Sequence, residues 1–177
     1  PLGSTYTYTK SYSRKGDTLS GEFSITINSV KDLTEDDLKK MGYVKNKFEI
    51  ERDEYWDQKL VNITWQAKDV KIVELASDNE KGYVYKRYIR PIMAGTVSPE
   101  EPTDYLNIVS FDGFTDSFQY KMDTEYKYSN LKLGSTANIE ITGNIIIPYY
   151  TGFNEIYLRI VQPGIETRYD YMFFKLK

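Results

Sequence analysis

The sequence contains no cysteine and no histidine among its 177 residues. Those two absences remove thiol nucleophiles, Ser–His triads, disulfides, thiolate or imidazole zinc sites and haem held through His from this chain. Carboxylates, Lys, Tyr, Ser and Thr are what is left for chemistry. Long apolar runs are also lacking. The longest aliphatic run is Ile145-Ile146-Ile147, closed by Pro148, far short of the ~20 residues of a membrane helix. There is no excess of basic charge either: 23 Lys+Arg stand against 26 Asp+Glu, a net charge of −3. Non-specific nucleic-acid binding needs a basic field, so no nucleic-acid partner is expected. No signal peptide and no initiator Met are visible. Pro1-Leu2-Gly3-Ser4 has the form of a scar left by a cleaved purification tag, so residues 1–4 are set aside. Membrane association is expected only through an anchor removed with the N-terminus. No enzymatic activity, no cofactor and no bound metal are expected, with carboxylate-only glycosidase chemistry left open.

Hydrophobic residues make up 40% and charged residues 28%, an ordinary globular balance that suits one core. Residues 5–15 alternate Tyr6, Tyr8 and Tyr12 with Thr, Lys and Ser, which predicts an extended N-terminal tether. Residues 16–177 are read as a single domain. Phe23, Ile25 and Ile27 share parity, as one face of a strand requires. Thr34-Glu35-Asp36-Asp37 signals the one helix, with Thr34 as cap, Asp37 reaching back, and Gly42 as the stop. Residues 60–76 alternate Val61, Ile63, Trp65 and Ala67 with polar positions until Asp69 breaks the phase; two strands or one bulged strand follow. Tyr83 to Ile89 is expected to return as its hairpin partner. Residues 91–103, with Pro91, Gly95, Pro99 and Pro102, read as a long loop, and Phe114 to Met122 as a short strand. Residues 136–147, 156–161 and 168–176 complete the pattern. Eight or nine strands with one short helical insertion predict an all-β sandwich.

Two local motifs carry a family resemblance. Gly16-Asp17-Thr18-Leu19 runs into Ile25-Thr26-Ile27-Asn28-Ser29-Val30. Later, Leu131-Lys132-Leu133-Gly134 precedes Ile139-Glu140-Ile141-Thr142-Gly143 and Ile145-Ile146-Ile147-Pro148, before a last hairpin through Tyr157-Leu158-Arg159-Ile160 and Phe173-Phe174-Lys175-Leu176. In these features the chain resembles the extracellular immunoglobulin-like domains of unknown function found in lipoproteins and secreted proteins of Gram-positive bacteria. Leu133 stands where such domains usually have Pro, and residues 31–59 replace a short loop with a helix and a charged segment. The resemblance implies an immunoglobulin-like β-sandwich. It also implies a non-catalytic binding or accessory module, anchored at the cell surface or secreted, with no functional residues to transfer.

Tyrosine is over-represented, at 17 residues with 8 Phe and 2 Trp. Tyr gives large rigid contact area with a polar tip, and Tyr-x-Tyr places both rings on one strand face. Tyr83, Tyr85 and Arg87 are therefore the first candidate binding group. Tyr149, Tyr150 and Phe153, on a loop marked by Pro148 and Gly152, are the second, and Tyr55 and Trp56 inside the charged segment are the third. The alternative to all three is packing on a half-exposed sheet. Asp78-Asn79-Glu80 and Asp112 to Asp116 are oxygen-rich but lack calcium-loop spacing, and turn chemistry explains them. Glu49, Glu51 and Asp53 would share a strand face. The expected function is binding of another protein at the cell surface through buried aromatics. A glycan-binding module using exposed Tyr and an intracellular toxin-neutralising protein are the alternatives.

Overall fold

The computed structural model describes residues 2–3, 5–14, 16–44, 56–161 and 171–176. Alternation builds its main sheet, in which β1 (Thr5–Arg14), β2 (Asp17–Leu33), β3 (Trp56–Glu74) and β8 (Thr136–Tyr150) lie in that order, all neighbours antiparallel. Register puts Ile25, Trp65 and Ile141 in one row and Thr26, Thr64 and Thr142 in the next. The first row is buried, and Trp65 stacks on Phe23 at 6.3 Å. In the second row the Thr64 and Thr142 hydroxyls meet at 2.8 Å. Period-two patterning thus becomes one wet and one dry face. Asp69 takes a φ of 50° at a register shift between Ala67 and Val70. The broken phase is a bulge in a single strand. Residues 5–14 pair with β2 along their whole length.

A second four-stranded sheet has the order β10 (Tyr171–Lys175), β9 (Tyr157–Val161), β5 (Ile92–Ser98) and β6 (Glu101–Leu106). Leu158, Ile160 and Met172 join Val61, Ile63, Ile145 and Ile147 in one core, so the architecture is an all-β sandwich. The expected loop at 91–103 is instead β5 and part of β6. Its breaker residues stand where strands tolerate them. Pro91 precedes β5, Pro99 is in the turn after it, and Pro102 is on edge strand β6. Gly95 has a φ of +115°, and a Cβ there would lie 1.8 Å from the Leu106 carbonyl oxygen.

Two further expectations are corrected. The segment after the turn at 77–82 does not pair with β3, because β2 and β8 already occupy both edges of β3. It forms β4 (Tyr83–Tyr85), which pairs with β7 (Asn130–Lys132), and then a 3-10 turn at Lys86–Tyr88. The expected strand at 114–122 is largely a helix, α2 (Phe118–Glu125), capped by Ser117, whose side chain accepts the Tyr120 N–H. Phe118 and Met122 are four apart and both buried, a spacing that fits one helix face. A Cβ on Gly143 would sit 2.5 Å from the Phe118 Cα, so glycine lets α2 lie directly on β8. The strand runs on through Pro148. Ten strands and two α-helices result among the described residues.

The other helix, α1 (Glu35–Lys40), is the expected one. Thr34 and Asp37 form a reciprocal capping box, and the hydrogen bonds from Thr34 hold the Asp37 carboxyl below its usual pKa. Leu38 of α1 packs with Leu33, Phe114 and Ile146, covering one end of the main sheet's outer face. The segment 31–59 therefore begins and ends in strand, with Asp32 opposite Lys59 and Leu33 opposite Gln58.

Candidate functional site

Strand β4 is short, but it is firmly held. Val84, Ile89 and Leu131 are buried beneath it, and the Lys86 N–H donates to the Ser129 carbonyl at 2.9 Å. Asn79 Nδ2 donates to Asp17 Oδ1 and to the Tyr83 carbonyl, tying the preceding turn to both sheets. On this base the Tyr83 and Tyr85 rings meet edge to face, with centroids 5.2 Å apart at 87°. The 3-10 turn brings Tyr88 against Tyr85, again edge to face, at 5.9 Å. The Arg87 guanidinium lies over both Tyr85, at 5.4 Å, and Tyr88, at 4.8 Å, and donates to the Tyr88 hydroxyl at 3.0 Å. Lys81 Nζ approaches the Tyr85 ring at 5.6 Å. Cation–π attraction and the hydroxyl hydrogen bond thus fix a long, otherwise mobile Arg side chain. All four of these Tyr and Arg residues are half-buried.

The two phenol oxygens of Tyr83 and Tyr85 are 3.2 Å apart. The Tyr83 pKa is raised, chiefly by this hydrogen bond, and burial adds to it. The Tyr85 pKa is lowered, chiefly by the same bond and then by the charges of Lys81 and Arg87. Either hydroxyl can be the donor, and the charges of Lys81 and Arg87 beside Tyr85 favour its ionised form.

The second candidate group stays together but differs in depth. Tyr149, read as a loop residue, belongs to β8 and is only 8% exposed. Its hydroxyl donates to Asp32 Oδ1 at 3.4 Å, and Lys59 Nζ lies 4.7 Å from its ring centroid while ion-paired to Asp32. Burial, followed by the nearby Asp32 and Asp57 charges, pushes the Tyr149 pKa up to about 12. Tyr150 and Phe153 pack edge to face at 5.3 Å, and with Tyr149 they line a small depression that Thr96, Val97, Leu106 and Ile156 complete. In the third group, Tyr55 lies outside the described residues, as do Glu49, Glu51 and Asp53. Trp56 opens β3 opposite Tyr150 in the ladder.

Sequence reasoning missed Tyr88 and Lys81, although Tyr88 follows Tyr85 at the spacing of one helical turn. It also missed the outer side of the second sheet, where Tyr157 and Arg159 alternate along β9 and Phe173 of β10 pairs with Arg159 and is 54% exposed. In the oxygen-rich turn at 112–116, Asp116 already has internal partners: it pairs with Lys121 and accepts from Asn144. Among the described residues no three acidic side chains converge as a metal site. In comparisons with known proteins, the chain matches no family, no curated protein and no solved structure.

Proposed function

We propose that the chain is a non-catalytic protein-binding module of immunoglobulin-like type, and that Tyr83, Tyr85, Arg87 and Tyr88 are its working surface. The observation that carries this reading is the Arg87 guanidinium held against the Tyr85 and Tyr88 rings. Tyr and Arg are the residue types that dominate binding energy at protein interfaces. Here they are already ordered, which lowers the entropy lost on association. The perpendicular rings favour docking of a protein over stacking of a sugar, for which coplanar faces are needed. Arg87 and Lys81 lie on a chain of net charge −3, so the partner segment carries a carboxylate. The module belongs to a surface lipoprotein or secreted protein, as the family resemblance implies.

Selection of a displayed random-peptide library on the immobilised protein tests this reading. Enriched sequences containing Asp or Glu beside an aromatic are expected, with affinity falling about tenfold or more on Arg87→Ala, or about 1.4 kcal/mol. Enrichment of sequences that bind Arg87→Ala and the parent protein equally would contradict it.

A further inference from the structure

The two edges of the main sheet are treated differently. The outer edge of β8 is covered: Val109 bridges to Ile146, Ser117 bridges to Asn144, and α2 follows. On the outer edge of β1 no strand is paired among the described residues. Unpaired edges are normally blunted by proline, a bulge, short length or charged side chains, and β1 has only the last of these. Strand β1 has ten residues, contains no proline, and pairs with β2 without a register shift.

The hairpin identifies which backbone groups face outward. Arg14 and Asp17 are opposite each other across a two-residue loop, which makes them a hydrogen-bonded pair. Even-numbered residues of β1 therefore bond to β2. Thr5, Thr7, Thr9, Ser11 and Ser13 turn their N–H and C=O groups away from it. Tyr6, opposite Ile25 on the core side, is still 45% exposed, so a further strand would gain an aromatic neighbour. The charge on β1 is of one sign: Lys10 and Arg14, with no acidic residue.

From this edge we infer a second interaction surface: β1 accepts an extended acidic segment of a partner protein as an added antiparallel or parallel strand. Charge selects this occupant over a second copy of the chain. Self-pairing of β1 over most of its length sets the two Lys10 positions opposite or diagonal to each other in a strand that has no acidic residue, and like charges at such positions are unfavourable. This surface is independent of the Arg87 patch.

The test uses a capped peptide as long as β1, with Glu or Thr alternating with Val, and a twin in which every Glu is Lys. Titration and amide hydrogen exchange are the readouts. The acidic peptide should bind about tenfold or more tightly than its twin and slow exchange at Thr7, Thr9 and Ser11, with Tyr8 and Lys10 little changed. Lys10→Glu, which faces Gly21 in the ladder, should reverse the preference without altering the melting temperature. Thr9→Pro, which removes an outward N–H only, should abolish binding. Equal affinity for the two peptides, protection confined to residues outside β1, or unchanged binding by Lys10→Glu would overturn the inference. So would a concentration-dependent dimer lost on Thr9→Pro, since it would name the second copy as the occupant. If Thr9→Pro does not fold, the Lys10→Glu preference decides alone.

Discussion

The Tyr83–Tyr88 cluster and the Tyr149 cluster both set a cation against phenol rings, but at different depths. Around Tyr149 the ring is nearly sealed, Lys59 is 8% exposed, and Asp32 meets Lys59 from the solvent side in an ion pair. Around Tyr85 every ring keeps part of its surface in water, and the cation has carboxylate-binding capacity to spare. The same chemistry therefore serves stability in one place and recognition in the other. Burial, not residue type, separates the two. The surrounding strands explain the difference. Tyr149 ends a fifteen-residue strand flanked by β3, whereas Tyr83 and Tyr85 ride on a three-residue strand paired on one side only.

The comparison breaks first under truncation. Tyr149→Ala should cost about 3–5 kcal/mol in urea unfolding, as for other large buried aromatics. Tyr85→Ala should cost less, about 1–2 kcal/mol, because its half-buried ring already keeps part of its surface in water. Equal costs would mean the Tyr85 cluster is core.

High pH gives the next largest effect. The Tyr149 pKa is raised to about 12 by burial and the acids beside it, so the folded state favours the neutral phenol. Its contribution is fully present below the ordinary value near 10 and is lost as pH rises from about 10 to 12. The parent protein should lose about 2–3 kcal/mol over that window relative to Tyr149→Phe. Unfolding curves at both pH values for the pair would show it.

Lys59→Met sharpens the point further. The replacement keeps the buried stem, and Asp32, whose side chain is 73% exposed, still accepts from the Tyr149 hydroxyl. A change within about 1.5 kcal/mol is expected, since an ion pair with one exposed partner contributes little. A larger loss would make the ion pair itself the stabilising element.

The smallest effect belongs to the open cluster. Arg87→Ala should leave the melting temperature nearly unchanged and raise the Tyr85 titration midpoint, by removing one of the charges that lower it. NMR titration of ring-labelled tyrosine reads this directly. A midpoint that does not move would place the guanidinium away from the phenol in solution.

Much of this fold is legible in the sequence where one rule acts alone. The alternation at 61–67 fixes which face of β3 is buried, and Thr34 with Asp37 marks the start of α1. It becomes illegible where two rules give the same pattern. Phe114, Phe118 and Met122 recur every four residues, which suits a helix but also has the even parity of a strand. The polar or exposed residues at Asp116 and Tyr120, where a strand would need apolar ones, were the distinguishing signal. Residues 91–103 fail differently. Pro and Gly mark loops only when the strand is central or unbulged, and β6 is an edge. For the candidate site, the Tyr-x-Tyr spacing identifies the Tyr83 pair correctly as sharing a face. It says nothing of Tyr88, which a 3-10 turn delivers, nor of the depth of Tyr149, which depends on β3 and β2 lying beside it.

The most direct test is calorimetric titration of one selected acidic peptide into the parent protein, Tyr85→Ala and Tyr149→Phe, each with its melting temperature measured. A loss of about tenfold or more in affinity for Tyr85→Ala while the protein remains folded at the titration temperature, with Tyr149→Phe binding as the parent does, is the predicted result. Unchanged binding by Tyr85→Ala, or a loss that appears only where the fold is also lost, would contradict the assignment of recognition to the open cluster.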